Sequence, residues 1–199
     1  MKIKYFIILL FVILVSLPIL AEPGDQPKAV IIIASSMFQD QEYDTVKTVL
    51  ENNKIDVSIA SSSLDTEKGM TGEEVKPDLL IEDIEIGDFD AYVFIGGDGA
   101  DEYLQNNDVL DLVRDANKNN KVIGAISPAS GVLANAGILR GKSATISPKV
   151  KRRLTRNGSY YKNMDIVISK NIITAQGQLA TKQFADALVK ILLQNKNPL

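Results

Sequence analysis

Cysteine and histidine are both missing from this 199-residue chain. Without cysteine there are no disulfides, no thiolate catalysis, no zinc–thiolate site and no haem attachment. Without histidine the chain loses the commonest general base and the commonest metal ligand. A hard cation needs only carboxylates, but no calcium-loop spacing occurs, so neither a metal nor a cofactor is expected. A basic excess is missing as well. Residues 1–21 carry two charges, Lys2 and Lys4, which leaves 20 basic against 25 acidic side chains and a net charge of −5 for the remainder. That balance gives no overall attraction to nucleic acid or to an anionic membrane. The one basic cluster, Lys149, Lys151, Arg152, Arg153 and Arg156, is short and reads as a solvated helix face rather than a phosphate site.

What the chain does have is the composition of a globular protein, 45% hydrophobic and 24% charged, at a length that suits one domain with a single core. Its first 21 residues are different. Met1-Lys2-Ile3-Lys4 is a basic start, Tyr5 to Leu20 is nearly all apolar, and Ala21 precedes the polar Glu22-Pro23-Gly24-Asp25. This order predicts a secretory signal peptide cleaved after Ala21, although Ile19 is larger than the residue usually preferred there. The competing reading is an uncleaved signal anchor, because the apolar run approaches the length of a short membrane span. Either reading places the protein outside the cytoplasm, periplasmic or extracellular, with a membrane as partner only if the leader stays attached. Oxidation of exposed thiols in such a compartment is one physical reason for a cysteine-free chain.

Residues 22–27 read as a linker and 28–195 as the domain. Ala29 to Ala34, Ala91 to Ile95 and Val122 to Ile126 are continuous apolar runs, as expected of parallel strands buried on both faces. Ile55 to Ala60 alternates as a strand, and residues 61–78 are polar and turn-rich. Residues 40–53 have helical spacing, with Val46, Val49 and Leu50 on one face and acids in the first turn. Val109 to Ala116 is a second helix. Pro128 to Ala136 is expected as a short third, with Pro at its first position and Gly137 closing it. Met164 to Ile168 and Ile172 to Ala175 read as late strands, and Leu179 to Leu193 as a closing helix. Strands alternating with helices predict an α/β fold, a mostly parallel sheet flanked by helices on both faces.

The run Val122-Ile123-Gly124-Ala125-Ile126-Ser127-Pro128 has the shape of a nucleophile elbow, an apolar strand that stops at one small polar residue and enters a helix. Two details oppose that use. No imidazole exists to take the Ser127 proton, and Pro128 has no N–H where half of an oxyanion hole would normally stand.

Several motifs in order resemble the DJ-1/PfpI family, which has the flavodoxin-like class I glutamine amidotransferase-type sandwich. They are Phe38-Gln39-Asp40-Gln41-Glu42, Asp88-Phe89-Asp90-Ala91 leading to Gly96-Gly97, and Ala125-Ile126-Ser127. Val132 to Lys142 with Ala144-Thr145, Asn171 to Gly177, and Phe184-Ala185 complete the set. The resemblance covers residues 28–193. It implies that Glu42 sits at the glutamate position beside the family's nucleophile and that Gly97 supplies an oxyanion N–H. It places Ser127 at the nucleophilic cysteine, Pro128 at the second oxyanion donor, and Ser147 (in Thr145-Ile146-Ser147-Pro148) where many members carry a histidine. Two of those positions keep the family's residue type, and three have lost it.

Each candidate has a plain structural reading beside the functional one. Ser127 is either a nucleophile partnered by Glu42 or, as favoured here, a cap on the helix that Pro128 opens. Glu42 is either a first-turn helix acid or, as favoured, a buried carboxyl of raised pKa facing Ser127. Gly96-Gly97-x-Gly99 lacks the third glycine of a dinucleotide loop and does not follow the first strand. Tyr160 and Tyr161 read as rim or packing residues. The expectation is an exported, non-catalytic DJ-1/PfpI-like domain with a vestigial pocket open to a small molecule, and self-association follows from the resemblance alone. The alternative is a hydrolase or a glyoxalase/deglycase-type enzyme using Ser127 with Glu42.

Overall fold

The computed structural model describes residues 26–196. The leader expected over 1–21 lies outside them, as does most of the linker. Pro27 is already buried and its carbonyl accepts from the Asp56 N–H, so the fold begins at the linker's last residue.

The apolar runs become strands in the order expected. Strand β1 (Lys28–Ile32) is followed by the short β2 (Ser36–Phe38), helix α1 (Asp40–Asn52) and β3 (Asp56–Ser61). Three short strands come next, β4 (Glu67–Gly69), β5 (Glu74–Val75) and β6 (Leu79–Leu80), and then β7 (Ala91–Phe94). Helix α2 (Asn107–Lys118) leads to β8 (Val122–Ile126), α3 (Ser130–Asn135) and β9 (Ser143–Ala144). The chain closes with α4 (Arg152–Thr155), β10 (Tyr160–Tyr161), β11 (Ile166–Ser169), β12 (Ile172–Ala175) and α5 (Thr181–Lys196). The main sheet has seven strands in the order β11-β12-β8-β7-β1-β3-β6, parallel throughout except for the β11–β12 pair. Strands β1, β7, β8 and β12 are covered on both faces, which is why they are apolar at every position or nearly so. Helices α1 and α5 pack together on one face, and α2 and α3 cover the other.

Local chemistry sets the helix ends. The Gln39 side chain accepts from the Gln41 N–H to start α1, and Asn106 accepts from Asp108 and Val109 to start α2. Gly124 brings α5 close: a Cβ there would stand 2.7 Å from the Phe184 ring.

Two sequence expectations need correction. The polar stretch 61–78 is not only turns, because β4 and β5 join β2 in a three-stranded side sheet. Strands of two or three residues give too short a pattern to read. The third helix does not open at Pro128. A tight turn intervenes, with Ala129 N–H on the Ile126 carbonyl and Gly131 N–H on the Pro128 carbonyl, so α3 begins at Ser130. No side chain caps it, which removes the capping role expected of Ser127.

Candidate functional site

The parallel strands end together at one edge of the sheet, where ligands bind in open α/β folds. The chain leaves β1 towards β3 on one side and returns to β7 on the other, so the crevice lies beside β1, β7 and β8. Glu42 enters it from the first turn of α1, Gly96 and Gly97 follow β7, and Ser127 ends β8.

Glu42 is 2% exposed, and its Oε2 accepts from the Gly96 N–H at 2.9 Å. Burial pushes its carboxyl up to about 8, against the smaller downward pull of the Gly96 bond. At neutral pH the group is therefore protonated and cannot serve as a base. Gly96 is the junction of the site. A Cβ there would lie 2.2 Å from the Ser127 carbonyl oxygen and 2.6 Å from Glu42 Oε2, so only glycine lets the three residues meet.

Gly97 has φ +105°, and a Cβ on it would lie 2.4 Å from the Met37 carbonyl oxygen and 2.6 Å from the Gln39 nitrogen. The Gly-Gly turn thus runs directly beneath the β2–α1 connection, where the Gln39 N–H also bonds the Gly96 carbonyl at 3.0 Å. Among the described residues the Gly97 N–H has no hydrogen-bond acceptor, as an oxyanion donor requires.

Ser127 is 8% exposed, and its own N–H donates to the Ala175 carbonyl at 3.1 Å. Its hydroxyl does not cap a helix. It accepts from the Ser147 N–H at 2.9 Å, across 20 residues of sequence. The Ser127–Pro128 peptide bond is cis, and Pro128 is half-buried. Ser147 stands at the start of the turn Pro148–Val150 and meets Ser127 through its backbone N–H rather than its side chain. Among the described residues no hydrogen bond joins Glu42 to the Ser127 hydroxyl, and no cluster of three or more acidic side chains could hold a metal ion.

Sequence reasoning missed a neighbouring cleft. It has about 260 Å³ and is lined by Pro148, Asp165, Gln176, Gly177 and Gln178 among others; Glu42, Gly97 and Ser127 do not line it, and Ser147 joins it to the site through its bond to Ser127. Gln178 also donates to the Gln41 side chain, tying the segment before α5 to the first turn of α1. The available signal was Gln176-Gly177 at the end of a buried strand, read from sequence as a fold marker only. Tyr160 is exposed and Tyr161 bonds the Asn163 side chain, in keeping with rim and packing roles.

An open, mostly parallel α/β sheet flanked by helices, with a buried glutamate and a Gly-Gly turn at its carboxyl edge, defines a protein of the flavodoxin-like type. The comparisons narrow this. The DJ-1/PfpI family profile matches residues 27–191, and the chain belongs to that family. An uncharacterized protein of Methanocaldococcus jannaschii is 33% identical over 171 residues, 84% of this chain and 83% of that protein. The glutathione-independent glyoxalase DJR-1.2 of Caenorhabditis elegans is 28% identical over 167 residues, 84% of this chain and 89% of the enzyme. The crystal structure of a ThiJ/PfpI domain protein from Brachyspira murdochii superposes with a TM-score of 0.83 at 27% identity, covering 86% of this chain and 99% of that one.

The Ser127–Ser147 bond sets a stability prediction. Ser127→Ala leaves the Ser147 N–H without its acceptor and should cost about 1 kcal/mol, read as a lower urea midpoint at unchanged slope. An unchanged midpoint would mean that water replaces the hydroxyl at no cost.

Proposed function

We propose that this is an exported DJ-1/PfpI-family protein whose inherited active site binds a small ligand without catalysing its conversion. The observation that carries the reading is geometric: among the described residues no base reaches the Ser127 hydroxyl, which accepts from the Ser147 N–H, while the Glu42 carboxyl bonds the Gly96 N–H. A serine becomes nucleophilic only when a base takes its proton. The chain has no histidine, Glu42 already holds a proton at neutral pH, and the Ser127 oxygen is occupied by the Ser147 N–H. Pro128 offers no N–H to a developing oxyanion, so one donor of the usual pair, Gly97, stands alone. The cleft beside Ser147 mixes the neutral polar side chains of Ser147, Gln176 and Gln178 with the apolar Pro148, Leu179 and Ala180, and Asp165 is its one acid. That lining suits a small neutral ligand with both hydrogen-bonding and apolar groups. Export rests on the basic, apolar and small-residue order of residues 1–21, and N-terminal sequencing of the secreted fraction should return Glu22 as the first residue.

A second reading is supported by the retained Glu42 and the free Gly97 N–H, together with the glyoxalase activity in the name of the Caenorhabditis elegans relative. It makes the protein a hydrolase or a glyoxalase/deglycase-type enzyme working through Ser127. A fluorophosphonate probe separates the two. The binding reading expects no mass shift on the peptide that contains Ser127, and stoichiometric labelling there would establish the enzyme reading.

A further inference from the structure

The carboxyl ends of β1 and β3 gather oxygen atoms that the Glu42–Ser127 site does not use. Ser35 lies just beyond β1, Ser61 ends β3, and Ser62 and Ser63 follow it. The turn Asp98–Tyr103 brings Glu102 and Tyr103 to the same place. A Cβ at Gly99 would stand 1.7 Å from the Ser36 carbonyl oxygen, so glycine is what lets that turn press against the chain leaving β1. Glu67, the first residue of β4, completes the group. Strand β1 has β3 on one side and β7 on the other, and these serines belong to the β3 side.

Ser35 holds Glu102 with two donors, its N–H on Oε1 at 2.8 Å and its hydroxyl on Oε2 at 2.7 Å, and the Ser62 hydroxyl reaches Oε1 at 3.4 Å. The Ser63 hydroxyl donates to Glu67 Oε1 at 2.9 Å. Burial raises the pKa of both the Glu67 carboxyl and the Tyr103 phenol, and the Ser61 hydroxyl opposes the rise in each, which sets it beside both groups. Two features of the cluster stand out. Glu67 is 4% exposed, yet among the described residues neither it nor Glu102 has a basic partner. Ser61 is 0% exposed, and its hydroxyl, set among these oxygens, makes no hydrogen bond among the described residues. A buried hydroxyl without a partner and a buried carboxylate without a counter-charge are each costly, and a cation satisfies both.

We propose that Ser61, Ser62, Glu67 and Glu102 form a site for a hard divalent cation, calcium in preference to magnesium. Glu67 and Glu102 supply the charge, and the two hydroxyls supply neutral oxygens. Ser62 and Glu102 are exposed, so the ion has an entry path and water can complete its shell. Calcium accepts about six to eight oxygens in flexible geometry, which suits donors drawn from separate stretches, whereas magnesium demands a near-ideal octahedron. Two carboxylates put the affinity in the range of roughly 10⁻⁴–10⁻³ M typical of extracellular calcium modules. No calcium-loop spacing marks the site, because its oxygens come from residues 61–62, 67 and 102 and meet only in the fold.

Terbium luminescence tests this, because Tb³⁺ replaces calcium, tyrosine sensitises its emission, and the chain has six tyrosines and no tryptophan. Purified protein excited through tyrosine should show Tb³⁺ emission that excess calcium abolishes and the same magnesium concentration does not. Calcium should also raise the parent's urea midpoint at constant ionic strength, since it binds the folded state alone. Tyr103→Phe should lose most of the emission and keep the calcium-induced midpoint shift. Glu67→Gln should weaken Tb³⁺ and calcium binding by about tenfold or more, because ligand charge sets affinity at such sites. Ser61→Ala should weaken both as well, and it carries the test if circular dichroism shows that Glu67→Gln does not fold. A parent without calcium-displaceable emission would overturn the proposal, as would calcium binding that survives Glu67→Gln or Ser61→Ala undiminished. So would emission that depends instead on Asp44 and Glu73, the acids beside Tyr43.

Discussion

Glu42→Gln should flatten much of the pH dependence of this protein's stability and make the variant more stable than the parent under alkaline conditions. In the unfolded chain the carboxyl loses its proton near 4.5, and in the folded protein it keeps it to about 8. Between those values the folded state binds more protons than the unfolded one, so parental stability falls as pH rises. The contribution is fully present below about pH 4.5, declines by about 1.4 kcal/mol per pH unit, and is gone above about pH 8. Glutamine does not titrate, yet its side-chain oxygen can still accept from the Gly96 N–H. Parent and variant should therefore be close in stability at pH 5 and differ by roughly 3–4 kcal/mol at pH 8 in favour of the variant. Urea unfolding at the two pH values checks this. A constant difference would mean that Glu42 is already ionised at neutral pH, and a base would then stand beside Ser127 after all.

The second large effect concerns what Pro128 prevents. In Ser127→Cys the new sulfur takes the place of a hydroxyl that accepts from the Ser147 N–H, a contact that favours thiolate. That variant should react with iodoacetamide, because alkylation needs only the thiolate. It should consume methylglyoxal or an activated ester poorly, because addition to a carbonyl creates an oxyanion for which the proposed site offers the Gly97 N–H alone. Adding Pro128→Ala restores an N–H and should raise turnover by ~10–10³-fold over the single variant, in line with the worth of one such donor. Equal rates at equal folded concentration would shift the block from Pro128 to the missing base.

The parts of this molecule that could be read from sequence are those governed by local pattern. Ala29 to Ala34 and Val122 to Ile126 declare buried parallel strands because both faces are apolar, and Gly137, at φ +83°, closes α3 as its position suggested. The ordered motifs pointed to the family and to five expected site positions, of which the fold brings Glu42 and Ser127 together across Gly96. The contacts that decide the chemistry were not legible. Ser127 finds its partner 20 residues away in a backbone N–H, and a backbone donor leaves no mark on the sequence. Gly96 proved as demanding as Gly97, because its constraint is the space between two other residues and not a backbone angle. The cap expected of Ser127 failed for a related reason. A tight turn between β8 and α3 moved the helix start to Ser130, and local propensity cannot foresee a turn that tertiary contacts impose.

The direct measurement of the central claim is methylglyoxal and activated-ester consumption by the parent protein beside Ser127→Ala, followed from pH 6 to 9 at equal folded concentration. A site without reagents predicts that parent and variant stay together at the uncatalysed rate up to about pH 8, where Glu42 still holds its proton. A parental rate at neutral pH that disappears in Ser127→Ala would contradict the account and make Ser127 a working nucleophile.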